Sequence, residues 1–178
     1  RLSELHNIQV GTHEGIRLLM DKTIQQDAYK ILVEPDEIKI AASNRRGLLY
    51  AVETLLQLIC DGKIECQEII DHPYKEIRGV HFGLPPRCEF EFFKRLVKYV
   101  FMPMRYNMLI IEFAGGMRFE SHPEISAGWE RGNKNNTGSL LDGFPHGSMV
   151  AGGELLEKSE VSELISFARE YGFEIVPE

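Results

Sequence analysis

Hydrophobic and polar positions along this chain change their period twice within one stretch. Ile77, Val80 and Phe82 form a short apolar run that Gly83-Leu-Pro-Pro86 interrupts. Phe93, Leu96, Val97, Val100 and Phe101 then recur at three- and four-residue spacing, which places them on one helical face. Pro103 ends that helix, because it has no amide to donate and its ring clashes with the preceding turn. Asn107-Met-Leu-Ile-Ile-Glu-Phe113 is a nearly unbroken apolar run, as expected of a strand covered on both faces. Strand, helix and strand in this order predict a parallel βαβ unit with a right-handed crossover.

The first seventy or so residues are patterned differently. Ile16 to Met20 suggests a short strand. Tyr29-Lys-Ile-Leu-Val-Glu34 and Ile38-Lys-Ile-Ala41 alternate like strands, with Glu34-Pro-Asp-Glu37 as the turn between them. After Gly47, Leu48, Leu49, Val52, Leu55, Leu56 and Ile59 make a helical stripe that Asp61-Gly62 ends. Gln67-Glu-Ile-Ile70 adds a last strand, and Asp71-His-Pro73 marks a boundary, since a residue before proline is pushed out of helical geometry. The expectation is a small α+β domain over 1–72 and a second domain over 73–178.

Beyond Phe113 the periodicity lapses. Ala114-Gly-Gly116 closes the strand, and Gly132 through Gly153 is rich in Gly, Asn and Ser, as in a long functional or disordered loop. Order returns at Ser159, an expected N-cap, with Val161, Leu164, Ile165 and Ala168 on one face. Gly172 is placed for the C-cap, and Phe173-Glu-Ile-Val-Pro177 begins a third strand. Three parallel strands with two crossovers resemble the opening of a (β/α)8 TIM barrel, which needs roughly 250 residues when complete. An apolar strand with no further neighbour is a poor edge. The fold class expected is therefore α/β: an accessory domain followed by a truncated barrel, the N-terminal part of a longer enzyme.

Charge narrows the partners. A net charge of −7 and a pI near 5.4 argue against nucleic acid or an anionic membrane, and no apolar run approaches the length of a membrane span. Cys60, Cys66 and Cys88 are too few and too scattered for a disulfide framework or a zinc site. A Cys60–Cys66 bridge fits the spacing, but free buried thiols are the favoured reading.

The order of several segments carries a resemblance over almost the whole chain. Ala28-Tyr-Lys-Ile-Leu-Val-Glu-Pro-Asp-Glu-Ile-Lys-Ile40 is followed by Gly47-Leu-Leu-Tyr-Ala-Val-Glu-Thr-Leu-Leu-Gln-Leu58 and Ile70-Asp-His-Pro73. Arg78-Gly-Val-His81, Tyr106-Asn107, Met117-Arg-Phe-Glu120 and Glu174-Ile-Val-Pro-Glu178 continue it. In this order and spacing the chain resembles the family 20 glycoside hydrolases, the β-N-acetylhexosaminidases.

That resemblance implies substrate-assisted retaining hydrolysis, in which the 2-acetamido oxygen of the substrate attacks the anomeric carbon, an exception to the two-carboxylate scheme. The family's catalytic Asp-Glu pair would follow the fourth barrel strand, beyond Glu178, so no catalytic residue is expected in this chain. Arg87 matches the arginine that hydrogen-bonds sugar hydroxyls in the family; the other reading is an arginine that only salt-bridges nearby acids. One residue is inserted between Arg78 and Arg87 relative to the usual spacing, and Gly83 stands where the family has aspartate. The second strand carries Ile110-Ile-Glu-Phe-Ala-Gly-Gly-Met117 in place of a His-x-His-Leu-x-Asp-Asp-Gln-Gly-Trp run. Glu112 thus takes the place of the second histidine, and either faces the sugar pocket or pairs with an arginine such as Arg78 or Arg87.

His81 and His122 are isolated in the sequence and are read as structural. Trp129 either stacks on a sugar or packs on the barrel side. Glu178 matches an acid ending the third strand, and Asp142 and His146 lie in the Gly-rich loop. The implied partner is a glycan or oligosaccharide; no metal or organic cofactor is implied. Such enzymes are expected in the periplasm or outside the cell. The competing reading is a non-catalytic carbohydrate-binding relative, suggested by the missing second-strand motif.

Overall fold

The computed structural model describes residues 15–113, 116–135 and 154–178. It divides into two compact units, Arg1–Glu76 and Ile77–Glu178, each built on its own sheet.

In the first unit, β1 (Gly15–Met20), β2 (Tyr29–Val33), β3 (Glu37–Ala42) and β4 (Gln67–Asp71) lie in the order β1-β3-β2-β4. β1 pairs parallel to β3, and β2 pairs antiparallel to both β3 and β4. Alternation buries Tyr29, Ile31 and Val33 on one face, and helix α1 (Arg45–Leu58) adds Tyr50, Ala51 and Leu55 to the same core. The helix begins earlier than its apolar stripe suggests. Asn44 caps it by accepting the Gly47 N–H at 2.9 Å. Gly47 is therefore inside the helix, where a Cβ would lie 2.7 Å from the Ala28 carbonyl oxygen. This close approach turns Gly47, Tyr50, Ala51 and Leu55 inward, while Leu48, Leu49, Val52 and Leu56 stay partly exposed.

Two buried polar clusters in this unit are satisfied locally, as burial generally requires, whereas the Ser43 hydroxyl is buried without a hydrogen-bond partner. The Tyr29 hydroxyl lies 2.6 Å from Thr54 Oγ1 and donates to Asp71 Oδ2 at 2.8 Å. Asp27, only 4% exposed, accepts from Asn44 Nδ2 at 2.8 Å and pairs with Arg46 Nη1 at 2.9 Å. Cys60, Cys66 and Cys88 are free, as expected, but all three are exposed rather than buried.

The second unit carries β5 (Gly79–Gly83), β6 (Met108–Glu112) and β7 (Glu174–Pro177) as a parallel sheet in the order β5-β6-β7. The expected βαβ unit is present, with shifted details. Ile77 precedes the strand and is 67% exposed. Helix α2 (Phe90–Leu96) runs into a π-helical turn at Val97–Phe101. There the Met102 N–H donates to the Val97 carbonyl at 3.1 Å, a five-residue step. The extra residue moves the buried stripe from Phe93 and Val97 to Met102 and leaves Val100 exposed, against the simple helical expectation.

Helix α3 (Pro123–Asn135) was not legible as a helix and overlaps the start of the stretch expected to be irregular. Helix α4 (Lys158–Glu170) buries Val161, Leu164 and Ala168. Its cap is Glu157 rather than Ser159: the Glu157 N–H donates to Glu160 at 2.6 Å in a capping box. Gly172, at φ 84°, closes the other end, with Gly172 N–H donating to Arg169 O and Phe173 N–H to Ala168 O.

One residue ties the N-terminal edge of this sheet together. Asn107, 7% exposed, accepts the Arg78 N–H on its side chain at 2.8 Å and donates its own N–H to the Arg78 carbonyl at 2.9 Å. Its carbonyl accepts the Glu174 N–H at 2.8 Å, and Arg78 Nε donates to the Arg105 carbonyl at 2.7 Å. All three strands are thus pinned at one end.

Candidate functional site at the C-terminal edge of the parallel sheet

The two faces of the sheet differ. Phe82 meets Phe93 of α2 with ring centroids 4.4 Å apart, so Val80 and Phe82, and with them Leu109 and Ile111, face the helices. Leu109 and Ile111 are essentially fully buried. The alternate positions therefore share the opposite face. His81 pairs with Ile110, Gly83 with Glu112, and Ile110 with Val176. Glu178 continues this register: its N–H donates to the Ile111 carbonyl, and its carbonyl accepts the Phe113 N–H, both at 2.8 Å.

Three titratable side chains meet there. His81 Nε2 lies 3.0 Å from Glu178 Oε2 and 3.9 Å from Glu112 Oε2, with the three side chains 49%, 61% and 30% exposed respectively. Both contacts are within ion-pair distance, the one to Glu178 being the closer. His81 is therefore not isolated, as its sequence neighbourhood suggests, and Glu112 has the imidazole within ion-pair distance. Arg78, one of its expected partners, holds the opposite edge through the Arg105 carbonyl. Two carboxylates and an imidazole on an open strand face can accept from and donate to hydroxyl groups, and can bear or take up a proton.

Arg87 follows β5 in a short 3-10 turn, Arg87–Glu89, on the same edge of the sheet. Its guanidinium forms a fork with Glu160, Nε to Oε1 at 2.9 Å and Nη2 to Oε2 at 3.0 Å. Nη1 donates to Glu154 Oε2 at 2.7 Å, and Glu157 lies 3.5 Å from Nη2. Glu157 in turn meets Arg118 Nε at 3.1 Å, and Arg118 reaches Glu130 at 3.6 Å. The Glu160 bonds, assisted by Glu154, raise the Arg87 pKa above its ordinary value against the cost of partial burial. Arg87 reciprocally holds the Glu160 carboxyl below its ordinary value. Glu157 likewise raises Arg118.

The sequence expectations resolve accordingly. Glu112 lies on the open face, whereas Arg87 is anchored by glutamates at the start of α4; those glutamates and His81 are the site neighbours that sequence reasoning missed. Strand alternation placed His81 on a definite face, but only the pairing register shows that Glu112 and Glu178 share it. His122 forms a surface pair with Glu124 at 2.9 Å, remote in character from a ligand site. Asp142 and His146 lie outside the described residues, as does the side chain of Trp129. On the helix side, Phe82, Gly83, Phe92, Phe93 and Phe101 help line an apolar cleft of about 170 Å³. Among the described residues no group of His, Cys, Asp or Glu is arranged to hold a metal ion, and no helix is long and apolar enough to cross a membrane.

A mixed α/β unit followed by parallel strand–helix repeats, with polar side chains gathered where the strands end, defines the class. Comparison with known proteins then shows what the chain resembles. Residues 3–72 match the family model described as Glycosyl hydrolase family 20, domain 2. A β-hexosaminidase of Akkermansia muciniphila is 28% identical over 94% of this chain and 34% of its own length. The family 20 exo-β-N-acetylglucosaminidase of Vibrio harveyi, solved in complex with N-acetylglucosamine, superposes with a TM-score of 0.74 at 22% identity, over 99% of this chain and 29% of that one. A mutant β-hexosaminidase of Streptomyces plicatus, solved with its product N-acetylglucosamine, gives a TM-score of 0.70 at 20% identity, over 99% of this chain and 37% of that one. The chain resembles the family 20 glycoside hydrolases through both of its units, and it spans about a third of the length of these relatives.

Proposed function

We propose that this chain is the N-terminal part of a glycoside hydrolase that removes terminal N-acetylhexosamine, or a related sugar, from glycans. The observation that carries the reading is the β5-β6-β7 parallel sheet, which directly follows a family 20 domain 2 and places polar side chains at its C-terminal edge. In this reading the second unit opens a (β/α)8 barrel, whose active site lies where the strands end. Hydrolysis is substrate-assisted and retaining, with the Asp-Glu pair supplied by chain beyond Glu178, so the part described here is inactive alone.

Arg87 and Glu112 are the proposed sugar contacts. A guanidinium fork suits vicinal hydroxyl oxygens, to which it donates two hydrogen bonds at once. Glu112, 30% exposed on the open face, would accept a hydrogen bond from a sugar hydroxyl at the same edge of the sheet. The substrate is a glycan or oligosaccharide met in the periplasm or outside the cell.

The test is an assay of the full-length protein on a chromogenic N-acetyl-β-D-glucosaminide. Release of the chromophore supports hydrolysis. The second reading, a carbohydrate-binding relative that does not hydrolyse, draws on the Ile110-Ile-Glu-Phe113 sequence that replaces the family's His and Asp run. It requires N-acetylglucosamine binding without chromophore release. Absence of both binding and release would contradict both readings for N-acetylglucosamine.

A further inference from the structure

We propose that Glu160 is the positioning residue that aims Arg87, and that Glu154 competes with a sugar hydroxyl for Arg87 Nη1. This rests on the reading of Arg87 as a sugar contact and specifies how that contact is built and regulated.

The glutamates around Arg87 are not equivalent. Glu160 is 27% exposed, and both its oxygens contact the guanidinium, from Nε at 2.9 Å and 3.3 Å and from Nη2 at 3.0 Å. Its Oε2 also accepts the Glu157 N–H at 2.6 Å, so the first turn of α4 fixes the carboxylate before it meets the arginine. Glu157 is shared with Arg118 and stands farther off, at 3.5 Å. Glu154 makes a single side-chain contact to Nη1 at 2.7 Å and is 72% exposed. Its position beside Arg87 is secured by backbone, since the Arg87 N–H donates to the Glu154 carbonyl at 3.0 Å. An exposed one-point ion pair is weak, whereas a bidentate fork fixes direction as well as distance. The Nε–Nη2 edge is therefore the fixed end of the guanidinium, and Nη1 is the end a hydroxyl oxygen can take from Glu154.

The experiment measures N-acetylglucosamine affinity of the full-length protein by calorimetry for the wild type, Arg87→Ala, Glu160→Gln, Glu154→Gln and the two double variants with Arg87→Ala. Gln at position 160 keeps the capping acceptor, so helix α4 retains its start. Loss of a charged, two-point contact should weaken binding by about tenfold in Glu160→Gln. Removing the Glu154 charge should tighten it by about threefold, the scale of an exposed pair. Both effects should vanish in the Arg87→Ala background, which a purely structural role for either glutamate would not produce. If Arg87→Ala weakens binding while Glu160→Gln does not, or Glu154→Gln fails to tighten it, the positioning scheme is overturned and the sugar contact survives. If Arg87→Ala binds like the wild type, the contact itself is wrong and the scheme falls with it. A wild type that binds no sugar of this class overturns both.

Discussion

The two edges of the parallel sheet are built to different ends. At the N-terminal edge, Asn107 and Arg78 exchange hydrogen bonds with each other and with Glu174 and Arg105, and Asn107 is buried. At the C-terminal edge, His81, Glu112, Glu178 and Arg87 are all between 30% and 61% exposed, and their contacts are largely ionic. The first arrangement secures strand order, with backbone and side-chain groups of neighbouring strands paired to one another. The second leaves charged groups accessible, held in place by the scaffold behind them. In βα-repeat folds, strength collects at the edge where strands begin and chemistry at the edge where they end.

Substitutions should separate the two roles, with the largest stability effects away from the candidate site. Leu109→Ala, on the helix-facing side of β6, should destabilise the second unit by about 3 kcal/mol in urea denaturation, through lost burial and the cavity left behind. A loss under about 1 kcal/mol would mean that this face is not the packed one. Asn107→Ala should follow at about 2 kcal/mol, because the Arg78 N–H then lacks its buried acceptor. If it is silent, the N-terminal edge is not sealed by this side chain.

Glu160→Gln should cost about 1 kcal/mol or less, since its ion pair with Arg87 is partly exposed. Its signature lies in the pH dependence. Arg87 lowers the folded-state pKa of Glu160 below the ordinary 4.5. The resulting stability is fully present above that value and is lost as pH falls through the folded pKa. The wild type should therefore lose more stability on acidification below about pH 4.5 than Glu160→Gln does. Parallel acid profiles would show that the pair contributes nothing. Smallest of all, His81→Ala and Glu178→Gln should each stay within about 0.5 kcal/mol. A larger loss in either would make the open face a structural element rather than a site.

Much of the scaffold was legible in the sequence, because β2, β3, α1 and β6 announce themselves through period and punctuation. Helix α3 was not: Gly128, Gly132, Asn133 and Asn135 dilute the helical signal, so propensity favoured an irregular segment. The π-turn at Val97–Phe101 was hidden as well, since a three–four spacing does not reveal where a helix takes a five-residue step. The true cap of α4 lay two residues before the residue with the better capping propensity, and a glutamate capping box supplied it. The site divides in the same way. Arg87 and Glu112 are visible as single residues in unusual places. Their company is not: Glu160 lies across a long stretch of sequence, and His81 joins Glu112 and Glu178 only through strand register.

The most direct test of the central claim is a crystal structure of the full-length protein with N-acetylglucosamine bound. The account predicts the sugar at the C-terminal edge of β5-β6-β7, with a hydroxyl oxygen within hydrogen-bond distance of Arg87 and another of Glu112. A sugar bound elsewhere, with Arg87 still wholly committed to Glu154 and Glu160 and Glu112 turned away, would contradict it.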